Sequence, residues 1–342
     1  MTAPRVSILM PVRESRFLDP AMATILGQTL DDFELVAVAD GADAGTRARL
    51  AAHAAADRRI RILRRDRSAG LAAALNAGLA ECRAPLVARA DADDLYRPDR
   101  LARQVRAFEA RPGLAALSCG WRRVDAAGRA LFTHRPPTGP AILRFQVMFA
   151  SPLLHPGVMF RAGAVRDLGG YDPAFWTAQD ADLWARMAAA GAELDNLPEP
   201  LVDWRRHDGS VSARRGAEGR ALSMSVRARQ HAAYLGAPQP DFLVAASVDT
   251  LVAAAPLSLA EISAGERQLA RFLARARRVE PPEVVTHLRR AAAAALLRQS
   301  RWALRAGRPV AAARLGRRAA AWHADRGVEA AAPLDRTGAA AA

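Results

Sequence analysis

The chain has 342 residues, 51% of them hydrophobic and 25% charged, which excludes a disordered or fibrous protein and allows one large domain with a smaller one appended. A formal net charge of +14 raises nucleic acid and anionic membrane as partners. That positive charge is entirely arginine, with no lysine and abundant alanine, a composition bias rather than a basic patch; no zinc spacing, recognition helix or aromatic-interleaved basic strand accompanies it, so no nucleic-acid partner is expected.

Read in chain order, residues 5 to about 120 alternate short apolar runs with amphipathic stretches. Val6–Val12 reads as a strand, Pro20–Leu26 as a helix and Phe33–Ala39 as a strand ending at Asp40-Gly41. A helix at Thr46–Ala56, a strand at Ile60–Arg64 and a helix at Leu71–Ala80 follow. Such alternation predicts an α/β fold, a mostly parallel sheet covered on both faces by helices. Residues 114–175 are mixed, a helix is expected at Asp180–Ala190, and a short strand at Leu201–Trp204. Beyond residue 213 the composition turns to Ala, Arg and Leu at helical spacing, and residues 284–324 read as a helix pair broken at Gly307-Arg308-Pro309. The expected organisation is an α/β domain over 1–212, a helical C-terminal region over 213–326 and a frayed tail over 327–342.

Ala84–Ala88 is an apolar run bounded by punctuation, the pattern of a buried strand. Directly after it stands Arg89-Ala90-Asp91-Ala92-Asp93-Asp94. Open α/β sheets bind ligands at the C-terminal ends of their strands. Carboxylates crowded there repel one another unless a cation joins them, and hard oxygen ligands favour Mg²⁺ or Mn²⁺ completed by substrate phosphates. The residue pattern therefore points to a metal-bound phosphate donor, the competing reading being a turn with helix-capping aspartates.

Cys82 and Cys119 match no metal spacing and suggest a reducing compartment. No signal-peptide pattern opens the chain, and no stretch approaches the ~20 apolar residues of a membrane span. A cytoplasmic protein is expected, free or peripheral at the inner face of an anionic membrane, with the oligomeric state left open.

Five motifs recur in order: Val6–Glu14; Ile25–Leu35 with Ala39-Asp40-Gly41; Gly70–Leu79; Asp91–Asp94 with Pro98; and Gly169-Gly170-Tyr171-Asp172 leading to Gln179–Arg186 and Trp204–Ser212. Together they resemble family 2 glycosyltransferases of the GT-A fold over about residues 4–212. The resemblance implies an inverting enzyme that moves a sugar from a nucleoside-diphosphate sugar, UDP favoured, to a hydroxyl of a saccharide or glycolipid acceptor, in cell-surface polysaccharide or glycoconjugate synthesis. It implies that Pro11, Val12, Glu14 and Asp40 frame the nucleotide, and that Arg67, Asn76, Ala92 and Arg205 contact the donor. Asp91 and Asp93 would hold the metal with His207, Asp94 standing as the alternative to Asp91. Asp180 would be the base that takes the acceptor proton.

Solvated or structural roles stand beside the functional ones for Arg67, Asn76 and His207, and core packing stands beside acceptor stacking for Phe175 and Trp176. His155 is read as having no chemical role. The chain departs from the family pattern at Ala39 and Gln179, where acidic residues are usual. The alternative reading, a degenerate binding module or basic membrane-interaction protein, rests on these departures and the net charge. A nucleotidyltransferase would need a catalytic lysine, which the chain lacks. A glycoside hydrolase would leave the strand-end Asp cluster unexplained.

Overall fold

The computed structural model describes residues 3–14, 16–206, 217–253 and 255–324. These form two compact units, the first drawn from residues 1–147 and 151–223 and the second from 148–150 and 224–342. The division falls beyond the composition break at residue 213. The tail expected over 327–342 and the candidate ligand His207 lie outside the described residues.

The first unit opens with the expected alternation: β1 (Val6–Val12), α1 (Leu18–Leu26), β2 (Phe33–Asp40), α2 (Ala44–Ala56), β3 (Ile60–Arg65), α3 (Leu71–Glu81) and β4 (Leu86–Arg89). β5 (Leu95–Tyr96), α4 (Arg100–Ala110), β6 (Leu114–Val124), β7 (Ala130–His134) and α5 (Pro140–Gln146) follow. A 3₁₀ turn at His155–Gly157 leads to β8 (Met159–Arg161), α6 (Ala162–Arg166), α7 (Gln179–Ala189) and β9 (Glu193–Arg205). The strands form one sheet in the order β3-β2-β1-β4-β8-β6-β9-β5, with β7 paired to β6. β1 to β4 run parallel, as do β6 and β9, while β8 pairs antiparallel with both β4 and β6.

Side chains of β1 alternate between two cores, as the period of a strand demands. Ile8 and Met10 pack with Met22, Ile25 and Leu50 on one face, and Leu9 packs with Leu75, Leu79 and Trp184 on the other. Helices cover both faces, so the central strands are buried along their whole length. α3 lies so close to the sheet that a Cβ on Gly78 would meet Leu9 Cδ1 at 2.3 Å and Val38 Cγ2 at 2.6 Å.

β9 is the largest departure from expectation, 13 residues where the sequence suggests a short strand at Leu201–Trp204. Pro198 and Pro200 hide it. The pairing with β6 shifts register beside them, and Gly120 of β6 leaves the room, since a Cβ there would lie 2.7 Å from the Pro198 carbonyl oxygen.

The second unit is helical: α8 (Ala217–Leu235), which the division crosses, then α9 (Asp241–Val252), α10 (Leu259–Val279), α11 (Pro282–Arg305) and α12 (Pro309–Ala324). Ser258 and Glu261 form a capping box on α10, and Gly307 takes a φ of 70° at the expected break between α11 and α12. Among the described residues no helix is long and apolar enough to cross a membrane.

Within this unit the His231 ring is fully buried against Phe149 and Phe272. Its Nε2 lies 3.0 Å from the Met148 carbonyl oxygen, which only accepts, so Nε2 carries the proton. Desolvation pushes the imidazole pKa down to about 4. The unfolded chain binds this proton near pH 6.5 and the folded chain does not. The stabilisation is therefore complete above about pH 6.5 and lost as the pH falls toward 4, at a cost of about 3 kcal/mol. Urea melts of the full chain at pH 7 and pH 4.5 are expected to show that loss in the wild type and a smaller one in His231→Phe.

Candidate active site

The C-terminal ends of the parallel strands share one edge of the sheet. β4 reaches that edge at Arg89 and delivers Asp91, Asp93 and Asp94 into the turn before β5. One carboxylate oxygen from each lies within 4.8 Å of the others. The turn is held from below. The Tyr96 hydroxyl accepts from the Asp91 N–H at 2.5 Å, and the backbone N–H of Arg205 donates to Asp94 Oδ1 at 2.8 Å. Arg205 Nε donates to the Asp93 carbonyl at 2.9 Å.

The three carboxylates differ in setting. Asp91 and Asp93 are part-exposed, and Asp91 Oδ1 accepts from the buried Arg89 guanidinium at 2.5 Å. Asp94 is 1% exposed, and its Oδ2 has no hydrogen-bond partner among the described residues. Burial, followed by the charges of Asp93 and Asp91, pushes the Asp94 carboxyl well above the usual carboxylate range. Clustered hard oxygens, one of them buried without a donor, fit a small divalent cation.

A cavity of about 360 Å³ opens over this turn. Asp91, Asp93 and Arg89 line one part of it, and Gln179 and Asp180 line another. Asp180 stands in the first turn of α7, and Ser151 Oγ donates to its Oδ2 at 3.2 Å. Gln179 is buried, and its Oε1 has no partner among the described residues. Trp121, His134 and Trp204 complete the cavity from β6, β7 and β9. Sequence reasoning missed all three as site residues, because an aromatic residue on a strand reads as core. Only Trp204 carried a signal, its place beside Arg205-Arg206-His207.

The remaining sequence candidates distribute as follows. Pro11, Val12 and Asp40 end β1 and β2, and Arg67 follows β3, so all four sit on the same sheet edge but outside this cavity's walls. Asp40 pairs with Arg65 Nε at 3.1 Å and accepts from Ser68 Oγ at 2.6 Å. Glu14 and Arg67 are exposed, and Ala92 is buried inside the turn. Arg205 borders the cavity, and its guanidinium donates to the carbonyls of Asp93 and Ala126, which braces the turn. Phe175 is core, and Trp176 is exposed with Nε1 donating to Glu218. His155 faces the cavity with Nε2 3.0 Å from the Tyr171 hydroxyl.

For Asn76 the geometry supports the structural one of its two expected roles. Its Nδ2 donates to the Tyr171 carbonyl at 2.7 Å, and the Tyr171 N–H donates back to Oδ1 at 2.8 Å. Both ends of the amide therefore hold the turn that leads to α7, and it is not a wall of the cavity. Arg186 of α7 clasps the same turn through the carbonyls of Leu168 and Gly170.

A family model for glycosyl transferase family 2 matches residues 7–166. The amylovoran biosynthesis glycosyltransferase AmsE of Erwinia amylovora is 30% identical over 199 residues, 58% of this chain and 74% of the relative. The UDP-Gal:α-D-GlcNAc-diphosphoundecaprenol β-1,3-galactosyltransferase of Escherichia coli is 28% identical over 233 residues, 67% of this chain and 83% of the relative. The fold is similar to that of the mannosyltransferase PcManGT from Pyrobaculum calidifontis, solved with GDP-Man and Mn²⁺, at a TM-score of 0.52 and 21% identity over 92% of this chain and 87% of that one.

The sheet with its covering helices has the GT-A fold. The chain belongs to glycosyltransferase family 2.

Replacing Asn76 by Ala leaves the backbone N–H and C=O of Tyr171 without their partners. Thermal or urea unfolding is expected to show a loss of about 1–3 kcal/mol. Calorimetric affinity for a nucleoside diphosphate is expected to stay unchanged, because the side chain serves the turn.

Proposed function

We propose that the protein is a metal-dependent, inverting glycosyltransferase that moves a sugar from a nucleoside-diphosphate sugar, UDP favoured, to a hydroxyl of a saccharide or glycolipid acceptor. The observation that carries this reading is the single cavity shared by the Asp91–Asp93 turn and Asp180. Such a transfer needs a phosphate-binding edge and a proton acceptor facing one reacting carbon, and two carboxylate sets lining one cavity support that reading. The names of the relatives add cell-surface polysaccharide and lipid-linked sugar as the setting. A cytoplasmic enzyme, peripheral at the membrane face that presents such acceptors, accords with them.

Asp91 and Asp93 would hold Mn²⁺ or Mg²⁺, with Asp94 behind them. Held there, the ion supplies positive charge to the departing nucleoside diphosphate. The chain's own groups do the rest. Val12 and Asp40 bound the sheet edge on which the nucleoside would lie. The acceptor hydroxyl forms its bond to the anomeric carbon as the bond to the diphosphate oxygen breaks, and its proton passes to an Asp180 carboxylate oxygen. Ser151 orients that carboxylate. Gln179 adds no second negative charge beside it, so Asp180 is not opposed by a neighbouring acid.

The test is donor hydrolysis by the purified full chain over UDP-, GDP- and dTDP-sugars with Mn²⁺ or Mg²⁺. Metal-dependent release of one nucleoside diphosphate is expected. Asp93→Ala should abolish metal-dependent nucleotide binding in calorimetry. Asp180→Asn should keep that binding while lowering turnover by about 10²- to 10⁴-fold. No turnover together with no metal-dependent binding of any of the three nucleotides would refute the reading.

A further inference from the structure

Four rings from three strands meet on one side of the cavity. Trp121 of β6 lies edge-on to Trp204 of β9, with centroids 5.1 Å apart at 89°. It stacks on His134 of β7 at 5.0 Å and 29°, and Phe132 meets it at 5.3 Å and 63°. Trp121, His134 and Trp204 face the cavity. Phe132 carries the row outward and is 53% exposed on a strand that is exposed along its whole length. Trp121 and Trp204 are half-buried, whereas His134 and Phe132 are exposed; rings left partly uncovered in a row leading out of an active-site cavity suit a ligand with apolar faces.

Two arginines border this row. Arg122 is paired with Asp203, and the Arg123 guanidinium lies 4.0 Å over Trp204. Desolvation holds the His134 imidazole below its ordinary pKa, so its ring is neutral at pH 7. An aromatic wall suits the C–H face of a sugar ring. The topology separates the two ends of the reaction as well. Val12 and Asp40 end β1 and β2, whereas the rings belong to β6, β7 and β9, beyond β4 and β8 in the sheet order.

We propose that this ring row is the acceptor subsite, and that the acceptor is a saccharide at least two sugar residues long. The reacting sugar lies against Trp121 and Trp204 beside Asp180, and the next one lies along His134 and Phe132. This deepens the glycosyltransferase reading and rests on it.

The test uses methyl glycosides of glucose, galactose and N-acetylglucosamine, and of maltose, lactose and chitobiose, as probes of the full chain. Binding is followed by saturation-transfer NMR in the presence of UDP and Mn²⁺. At least one disaccharide glycoside is expected to bind more tightly than its monosaccharide. Phe132→Ala should weaken that disaccharide about three- to tenfold, the size of one ring contact, and leave the monosaccharide unchanged. Trp121→Phe should weaken both. Phe132→Ala should not alter donor hydrolysis in the absence of acceptor, and Trp121→Phe should keep metal-dependent UDP binding in calorimetry, which shows that each is folded and that the donor half is intact. The subsite is overturned if the wild type hydrolyses donor but binds none of the probes, or if Phe132→Ala leaves the disaccharide preference untouched. It is also overturned if the ring variants lower nucleotide binding, which would place the rings on the donor side. Failure of donor hydrolysis and nucleotide binding in the wild type would instead strike the glycosyltransferase reading itself.

Discussion

Three carboxylates cannot crowd the end of one strand unless positive charge compensates them. The turn after β4 meets this constraint with one buried guanidinium, Arg89 on Asp91, and with the Arg205 backbone N–H on Asp94. Everything beneath the turn serves to keep it in place. Arg100, itself buried, donates to the carbonyls of Arg89 and Val158, and Gln28 bridges the Arg97 carbonyl and the Leu101 N–H. The motif around Gln28 thus braces the acidic turn from α1 rather than touching a ligand. A site that must receive a cation and a diphosphate gains from a turn fixed before either arrives, since less ordering remains for binding to supply.

The opposite side of the cavity depends on a different device. α7 carries Asp180, and the turn before it is held by Asn76 from α3 and by Arg186 from α7 itself. Asp182 stays inside, 1% exposed, and accepts from Arg186 Nε at 2.7 Å. The residues that follow Asp180 in the motif are accordingly a clamp on the helix, while Asp180 and Gln179 alone reach the cavity.

Much of this was legible in the chain. The β1-to-β4 half could be read because its partners are close in sequence and its strands are buried on both faces, which writes continuous apolar runs. Asp91, Asp93 and Asp180 could be placed at element ends because the runs before or after them were plain. The half from β6 to β9 was not legible, since β6 pairs with three strands at different separations and β9 is punctuated by prolines that usually end a strand. Asn76 stayed between two readings for a physical reason. A polar residue in an apolar helix signals a buried partner but not which one, and the partner lies in a loop far along the chain. The ring row was invisible because aromatic residues at alternate strand positions are written identically whether they fill a core or line a cavity.

Gly170 has a φ of 76°, and a Cβ there would lie 2.5 Å from Asn76 Oδ1. The Asn76 amide and the bare Gly170 backbone are therefore two halves of one joint between segments that are remote in the chain. Recombination must respect that joint. A hybrid that takes its first strands and α3 from this chain and its later half from a relative would inherit a base-bearing helix aligned to the Asp turn only where both halves of the joint come from compatible parents. The crossover point for exchanging acceptor specificity is thus set less by the boundary between helices and strands than by which side of the cut retains residues 76 and 170 together.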